Sequence, residues 1–311
     1  MSGLADPASA PVRGLRAVRP DGSAAASRRR VAILGNPNAG KSTLFNALTG
    51  LRQKVGNYPG VTVEKKTGTC ELPSGARAEV IDLPGSYSLQ PASPDERIVR
   101  DVLLGLQQDT PPPDLIVFVV DATNLERHLY LALQVIDRGR PLMLALNMMD
   151  AAREQGIRID EGALQRQLGV PVVGIAAAKG EGLGRLRRVM EREVEPSARS
   201  FGRWPAHLRR VIDRLEARLP RHAALPQRAR HDLALALLLD DGEDDALARS
   251  VPPEVLVFVR RYGPAGVRSI AQWVRLTCGS SRRIAHSRSR PIAVAAPSRN
   301  TSARPSGSRT R

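Results

Sequence analysis

The chain is organised around residues 35–42, which read Gly35-Asn36-Pro37-Asn38-Ala39-Gly40-Lys41-Ser42. An apolar run with strand character precedes them at residues 31–34, and residues 43–49 are typical of a helix that ends at Gly50. This strand–loop–helix context predicts a phosphate-binding loop, because glycines let backbone N–H groups and the positive end of the helix dipole approach a triphosphate. We expect Lys41 to reach the β- and γ-phosphate oxygens and the Ser42 hydroxyl to bind the bridging Mg²⁺.

The net charge of +16 lies mostly at the two ends of the 311-residue chain. The first 30 residues carry six Arg and two Asp, and the last 34 carry eight Arg and no acid, so the 247 residues between them carry only +4. Both ends are also rich in Ser, Ala and Pro, which predicts disorder at residues 1–28 and 277–311. Basic tails of this kind can touch RNA or anionic lipid, but an unstructured end without a partner is the simpler interpretation.

The cysteine and hydropathy patterns favour a cytoplasmic chain. Cys70 and Cys278 are the two cysteines and stand far apart, which predicts neither a disulfide framework nor a cysteine metal site. The N-terminal residues lack the apolar run of a secretory signal. No stretch approaches the ~20 apolar residues of a membrane span. We therefore expect no transmembrane segment in this chain.

Strand and helix patterns alternate through the first two thirds of the sequence. Such alternation predicts an α/β fold with a mostly parallel sheet covered on both faces. The predicted strands are 63–71, 77–82, 115–121, 142–146 and 172–175, and the predicted helices are 93–108, 125–137, 161–168 and 183–193. The first two strands form a hairpin that adds one antiparallel edge strand, while residues 55–62 are rich in turn formers and are predicted to be a mobile loop.

From about residue 201 onward the pattern becomes helical. Apolar residues at helical spacing run from Leu208 to Leu219, a second helix is expected around Leu233–Leu239, and a third near residue 250. Residues 255–259 are also compatible with a strand, so both interpretations stay open there. The sequence therefore predicts a small helical domain after the α/β domain.

A second motif, Asp82-Leu83-Pro84-Gly85, follows the predicted strand 77–82. We expect Asp82 to hold Mg²⁺ and the Gly85 N–H to bond the γ-phosphate. Thr62, in the preceding loop, is the natural second hydroxyl on Mg²⁺. Loss of the γ-phosphate would then release both loops, as in a nucleotide switch.

A third motif, Asn147-Met148-Met149-Asp150, lies at the end of another predicted strand. A carboxylate accepts two hydrogen bonds from guanine N1–H and the 2-amino group, whereas adenine offers no such pair of donors. Asp150 is therefore expected to select GTP over ATP, since a wrong base would leave it unpaired.

Together these motifs resemble the cytoplasmic GTPase portion of FeoB-type ferrous-iron transporters. The resemblance covers about residues 29–195 and includes two further segments, Val55-Gly56-Asn57-Tyr58-Pro59-Gly60-Val61-Thr62-Val63-Glu64 and Ser86-Tyr87-Ser88-Leu89. It implies a P-loop NTPase G domain of the Ras-like (TRAFAC) class at residues 29–195. It also implies a helical linker domain at 196–276.

The resemblance implies a slow GTPase whose nucleotide state regulates Fe²⁺ uptake by a membrane permease. It implies GTP or GDP and Mg²⁺ as ligands and stimulation by K⁺, with Asn38 as the K⁺ ligand. From spacing alone Asn38 is equally a loop-stabilising amide. The residues expected to take part in hydrolysis are Lys41, Thr62, Gly85 and Asn38, with Ser42, Thr62 and Asp82 on Mg²⁺. The expected nucleotide contacts are Gly35, Asn36, Pro37, Asn38, Ala39, Gly40, Lys41, Ser42, Thr43, Gly60, Val61, Thr62, Asp82, Leu83, Pro84, Gly85, Asn147, Met148, Asp150, Ala176, Ala177 and Ala178.

The sequence departs from the pattern at two positions in the site. Ser86 stands where many switch GTPases have a water-orienting Gln, so no side-chain base is visible and slow turnover is implied. The resemblance also implies a guanine-supporting segment at residues 174–179, in which Ala176 stands where relatives often have Ser. We expect the Ala177 N–H still to reach guanine O6.

The largest departure is the absence of permease sequence after residue 276, where a Ser/Arg/Pro-rich tail follows. Three interpretations stay open: a truncated or frame-shifted product, a remnant that acts alone, and a chain that acts with a separate membrane partner. A ribosome- or RNA-associated GTPase is the alternative function, but Gly263-Pro264-Ala265-Gly266 lacks the basic residues of an RNA-binding loop. The third functional hypothesis is a protein that binds a nucleotide but does not hydrolyse it. The sequence favours a guanine nucleotide over nucleic acid as the partner.

Overall fold

The computed structural model of the chain describes residues 28–50, 53–59, 61–89, 93–107, 109–199, 201, 206–219, 227–239 and 248–260. Apart from Arg28, the residues of the two tails that were predicted to be disordered lie outside this part of the chain. The strands are β1 (Arg29–Gly35), β2 (Gln53–Asn57), β3 (Glu64–Glu71), β4 (Arg77–Asp82), β5 (Leu115–Asp121), β6 (Leu142–Asn147) and β7 (Val172–Gly174). The helices are α1 (Lys41–Thr49), α2 (Pro94–Leu104), α3 (Leu125–Asp137), α4 (Met149–Glu154), α5 (Glu161–Leu168), α6 (Leu183–Glu191), α7 (Ala206–Glu216) and α8 (Gln227–Leu239).

The strands form one seven-stranded sheet in the order β2-β3-β4-β1-β5-β6-β7. Strands β4, β1, β5, β6 and β7 pair in parallel, so the predicted α/β fold with a mostly parallel sheet is confirmed. Because β1 lies at the centre, the loop that follows it opens at the carboxyl edge of the sheet, next to the ends of β4 and β5. This is the edge at which open parallel sheets bind ligands.

The antiparallel part of the sheet is larger than predicted. Strand β3 pairs antiparallel with β4, as expected, but β3 is not the edge, because β2 pairs antiparallel with its other side. The prediction of a loop from residue 55 is therefore wrong for residues 55–57. These residues form backbone pairs with β3 while their side chains, Val55 among them, remain exposed, so no apolar pattern signals the strand.

Two apolar layers cover the sheet. Strand β5 is buried along its whole length, as its continuous apolar run predicts. On one face α1 and α6 pack through Leu44, Phe45 and Met190, and on the other α2, α3 and α5 pack through a larger apolar cluster. The sheet is thus a rigid platform for the loops at its carboxyl edge.

Most element bounds follow the sequence, and the differences have local causes. Helix α2 begins as predicted, with Pro94 in its first turn and the Ser93 side chain accepting from the Glu96 N–H. It ends at Leu104 rather than Gln108, because Gly105 adopts a left-handed conformation with φ of 75°. The short helix α4 was not predicted.

The C-terminal described segments are helical. Helices α7 and α8 form an apolar cluster with residues of the helical segment 253–260, so the strand interpretation of 255–259 is wrong. Leu104, at the end of α2, belongs to the same cluster. Within the described residues no helix combines the length and apolar character needed to cross a bilayer. The domain boundary at 195/196 stays a prediction.

Candidate functional site

The loop between β1 and α1 is shaped for close approach of backbone to a ligand. Gly40 has φ of 87°, and a Cβ at this position would lie 2.2 Å from Nδ2 of Asn147. Asn38 is also left-handed, with φ of 63°, and its side chain is exposed at the loop. Helix α1 begins directly after the loop with no side-chain cap and no acid in its first turn. The N–H groups at this helix start are therefore suited to an anion.

Lys41 is held inside the loop. Its side chain is buried, and its Nζ donates to the Asn36 carbonyl oxygen at 3.0 Å. Burial lowers the pKa of Lys41, and the nearby charge of Asp82 opposes that effect. The amide oxygen Oδ1 of Asn36 is buried without a hydrogen-bond partner. The loop thus places a cation and an unpaired polar atom together.

Asp82 lies next to the loop because β4 pairs with β1. The Ser42 hydroxyl donates to Asp82 Oδ2 at 3.2 Å, while Asp82 Oδ1 is buried with no partner. Burial raises the pKa of Asp82, and the Lys41 charge and the Ser42 hydrogen bond oppose it. A carboxylate oxygen without a partner beside a hydroxyl is the hard oxygen donor set that Mg²⁺ prefers, so these residues fit the predicted ion.

A cavity of about 540 Å³ joins these residues to the segment after β4. A Cβ on Gly85 would lie 3.1 Å from both Lys41 Nζ and Pro37, so Gly85 brings backbone against the loop. The Ser86 N–H donates to the Gly35 carbonyl oxygen at 3.3 Å and fixes this segment beside β1. The cavity is lined by Lys41, Ser42, Thr62, Val63, Glu64, Lys66, Asp82, Leu83, Pro84, Gly85, Pro94 and Asp95.

The structure therefore brings together Lys41, Ser42, Thr62, Asp82 and Gly85, which the sequence predicted as one site. Thr43 and Val61 are exposed nearby. Gly60 lies outside the described residues, so the prediction for it has no structural counterpart.

We call the region around Lys41, Ser42 and Asp82, where the sequence predicts phosphate binding, the phosphate end of the site. Asn147 connects it to a second loop. The side chain is buried; Nδ2 donates to the Ala39 carbonyl oxygen at 3.0 Å, and Oδ1 accepts from the Ala177 N–H at 3.0 Å. Both polar atoms of Asn147 are thus used within the protein. The Ala177 N–H is also committed to this bond, contrary to the expectation that it reaches a guanine oxygen.

Asp150 lies at the part of the site where the sequence predicts base recognition, and we call the region around Asp150, Ala177 and Lys179 the base end. Met148 precedes α4 in a left-handed conformation, and the Met149 N–H donates to the Ile175 carbonyl oxygen at 3.1 Å. Lys179 Nζ lies 2.8 Å from Asp150 Oδ2, and this hydrogen bond lowers the pKa of Asp150. An aspartate is ionised at neutral pH even without this shift, so the carboxylate is able to accept hydrogen bonds.

Further contacts tie the two loops of the base end together. Arg153 pairs with Glu181 at 2.6 Å, and Ala176 and Glu181 form a backbone bridge. Ala176 and Ala177 are buried, while Ala178 is exposed. The base end is thus held in place by contacts within the protein.

The motifs did not reveal several residues of the site. Lys179 ends the guanine-supporting segment 174–179, but the sequence did not predict its contact with Asp150, since 29 positions separate the two. Lys66 and Glu64 line the cavity because β3 runs alongside β4. The predicted hairpin of these two strands is the sequence feature from which their position could have been inferred. Pro94 and Asp95 reach the cavity from the start of α2.

Comparison with known proteins gives the same picture of relatedness from sequence and structure. The family model described as ferrous iron transport protein B matches residues 29–190. The Fe(2+) transporter FeoB of Salmonella typhimurium is 41% identical over 202 residues, which are 64% of this chain and 25% of the relative. The chain therefore spans about a quarter of the length of that curated relative.

Two solved structures are similar over most of this chain. One is a mutant of S. thermophilus NFeoB bound to GDP, with 32% identity, a TM-score of 0.65, and coverage of 83% of this chain and 99% of that one. The other is the cytosolic domain of the T. maritima FeoB iron transporter in its GMPPNP form, with 34% identity, a TM-score of 0.62, and coverage of 82% and 98%.

Proposed function

Because the chain belongs to the ferrous iron transport protein B family, we propose that it binds GTP and GDP and hydrolyses GTP slowly as a switch. The observation that carries the proposal is the cavity at the carboxyl edge of β1 and β4, where Lys41, Ser42 and Asp82 meet. The similar S. thermophilus structure is bound to GDP, and the similar T. maritima structure is in a GMPPNP form. Both support a guanine nucleotide as the ligand here.

The phosphate end binds the triphosphate through backbone and charge. The start of α1 and the glycines of the loop supply N–H donors, and Lys41 leaves the Asn36 carbonyl to bond phosphate oxygens. Ser42, Thr62 and Asp82 would hold Mg²⁺, which when bound neutralises phosphate charge. The Gly85 N–H bonds the γ-phosphate, because its backbone already lies against Lys41 and Pro37.

The base end selects guanine. Lys179 donates a hydrogen bond to Asp150 and lowers the pKa of its carboxyl still further, and the carboxylate accepts from the two guanine donors. Since Asn147 engages the Ala177 N–H, the next N–H along, that of the exposed Ala178, is the better candidate for guanine O6. ATP leaves Asp150 unpaired and binds less well.

Slow turnover follows from the residue after Gly85. Ser86 is fully buried, and its hydroxyl donates to the Ser88 carbonyl oxygen at 2.5 Å, so it does not act on an attacking water. Stimulation by K⁺ would supply positive charge near the breaking bond, and Asn38, an exposed residue of the phosphate loop, has an amide oxygen that could bind that ion. This role of Asn38 is part of the proposal.

The nucleotide state would regulate Fe²⁺ uptake by a membrane permease at the cytoplasmic face. Thr62 and Gly85 both line the cavity, so loss of the γ-phosphate frees the segments that carry them. Whether permease and switch share one chain does not alter this proposal. The basic tails, on which the RNA alternative rests, lie outside the described residues.

Thermal unfolding with added nucleotides tests guanine binding. With Mg²⁺ present, GDP and GTP at ~100 times their Kd should each add ~2.7 kcal/mol of stability, and ATP should add far less. Equal stabilisation by ATP would remove the role assigned to Asp150.

A GTPase assay in K⁺ and in Na⁺ tests the hydrolysis step. Faster phosphate release in K⁺, lost in Asn38→Ala, is expected. Identical rates in the two salts would return Asn38 to a structural role, and no release in either would leave a nucleotide-binding protein without turnover.

A further inference from the structure

Lys66 lies on the cavity wall with no role in the site described so far. Resting on the proposed function, we propose that Lys66 is a second lysine of the phosphate site, which contacts the terminal phosphate of GTP and makes the site discriminate GTP from GDP. Lys41 would bind both nucleotides, since it reaches the β-phosphate they share. Lys66 would recognise the charge that GTP alone carries.

The sheet places Lys66 beside the proposed Mg²⁺ ligand. In the antiparallel pairing of β3 with β4, Lys66 is the direct cross-strand partner of Asp82. Side chains of directly paired residues project from the same face of a sheet. Both residues line the same cavity, together with Ser42, Thr62 and Gly85. Lys66 therefore approaches the phosphate site from the side opposite the loop that carries Lys41.

The neighbouring lysine shows that this placement is specific. Lys65 precedes Lys66 on β3, so its side chain projects from the other face of the strand. Its Nζ bonds the Asp109 carbonyl oxygen at 2.8 Å and the Thr110 hydroxyl at 2.7 Å. Two adjacent residues of the same type thus have different surroundings, and Lys66 is the one that lines the cavity.

The present partner of Lys66 is exchangeable. Its Nζ lies 3.1 Å from Glu64 Oε2, and the two side chains are 34% and 52% exposed. Ion pairs of this exposure contribute little stability, ~0–1 kcal/mol. A phosphate inside the cavity carries more charge than Glu64, and a lysine side chain is long and flexible enough to change partners. Binding of a triphosphate would therefore draw Lys66 from Glu64.

Calorimetric titration of the full chain with GDP and with GMPPNP, both with Mg²⁺, tests the proposal. Lys66→Ala should weaken GMPPNP binding about tenfold, the low end for a charge-assisted hydrogen bond, and change GDP binding less than about twofold. Lys66→Arg should restore most of the preference because it keeps the charge. Lys65→Ala is the matched control and should leave the ratio of the two affinities unchanged.

The other outcomes contradict the proposal in distinguishable ways. Equal weakening of GDP and GMPPNP would mean that Lys66 acts by positioning Asp82, and no change in either would mean that it is a solvated surface lysine. Thermal unfolding without nucleotide shows whether Lys66→Ala is folded; if it is not, Lys66→Gln replaces it in the same titrations. Failure of the unmodified chain to bind either nucleotide would instead refute the proposed function.

Discussion

The two ends of the site differ in how far the protein satisfies their polar groups by itself. At the base end, Asn147 uses both side-chain polar atoms on neighbouring loops, and Asp150 pairs with Lys179. At the phosphate end, Asn36 Oδ1 and Asp82 Oδ1 are buried without a hydrogen-bond partner. One end is completed by the fold, and the other is left for a ligand to complete.

This difference indicates which part of the site a bound nucleotide would stabilise. A buried polar atom without a partner costs ~1–3 kcal/mol, so a ligand that satisfies Asp82 recovers free energy that the protein lacks. The base end gains less, because its loops are already joined by Asn147. Substitutions at the base end and at its junction with the phosphate loop should therefore show how much of the nucleotide affinity depends on the loops being held in place by the protein, and how much on direct contacts with the ligand.

Gly40→Ala should have the largest effect, because it disrupts the junction of the two ends. The new Cβ would meet Asn147 Nδ2 at 2.2 Å, and φ of 87° costs a non-glycine residue ~1–2 kcal/mol. With the Asn147 hydrogen bonds also lost, we expect the affinity for GDP to fall about a thousandfold, measured by calorimetry.

Gly50→Ala is the matched control for that substitution. Gly50 has φ of 58°, but a Cβ there would meet nothing within 4 Å. Because its ψ of −134° lies outside the left-handed helical region, Gly50→Ala should lower the free energy of unfolding by ~1–3 kcal/mol and leave GDP affinity unchanged. Equal losses of affinity in the two variants would show that backbone strain, not the contact with Asn147, governs binding.

Asn147→Ala should have the next largest effect, since it leaves the Ala39 carbonyl and the Ala177 N–H unpaired. Two such groups predict a loss of ~2–6 kcal/mol in the free energy of unfolding, measured by urea denaturation. GDP affinity should fall about a hundredfold, because the phosphate loop is no longer tied to the base end. The exposed Asn46 on α1 offers a control, and Asn46→Ala should change neither quantity appreciably.

Asp150→Asn should change the choice of base more than the strength of binding. Losing a charged acceptor costs ~1.5–3 kcal/mol, so GDP affinity should fall about thirtyfold while affinity for xanthosine diphosphate rises. Competition between the two nucleotides measures this shift. Glu154→Gln, which removes a carboxylate 4.0 Å from Lys179, is the control and should preserve the guanine preference. An unchanged preference in Asp150→Asn would show that another residue reads the base.

Local sequence patterns predicted the centre of the fold better than its antiparallel edge. The bounds of β4, β5, α3 and α5 match the predictions because apolar runs and caps define them within a few residues. Strand β2 could not be predicted in the same way, because pairing with β3 decides it and its side chains are mostly exposed. Helix α4 is six residues long and follows a left-handed Met148, which no periodicity announces.

The same distinction holds for the site: residues near local motifs were predicted, and residues brought in by tertiary contacts were not. The motifs placed Lys41, Ser42, Asp82 and Gly85 together because each lies within seven residues of the end of β1 or β4. Lys179 and Lys66 were not predicted as site residues. Lys179 reaches Asp150 because two loops that are distant in sequence approach each other. Lys66 lies beside Asp82 because of the register between β3 and β4. The hydrogen bond from the Ala177 N–H to Asn147 Oδ1 is likewise a tertiary contact that cannot be predicted from residue types.

Arg153→Ala should have the smallest effect, and it tests whether the base end depends on its surface ion pair. Arg153 and Glu181 are 2.6 Å apart, but their side chains are 61% and 47% exposed, so the pair should contribute no more than ~1 kcal/mol and be screened by salt. We expect less than about a threefold loss of GDP affinity, and none in 1 M NaCl. If instead the loss approached that of Asn147→Ala at either salt concentration, the base end would owe its order to the surface pair, and the contrast between a completed and an open end would have to be redrawn.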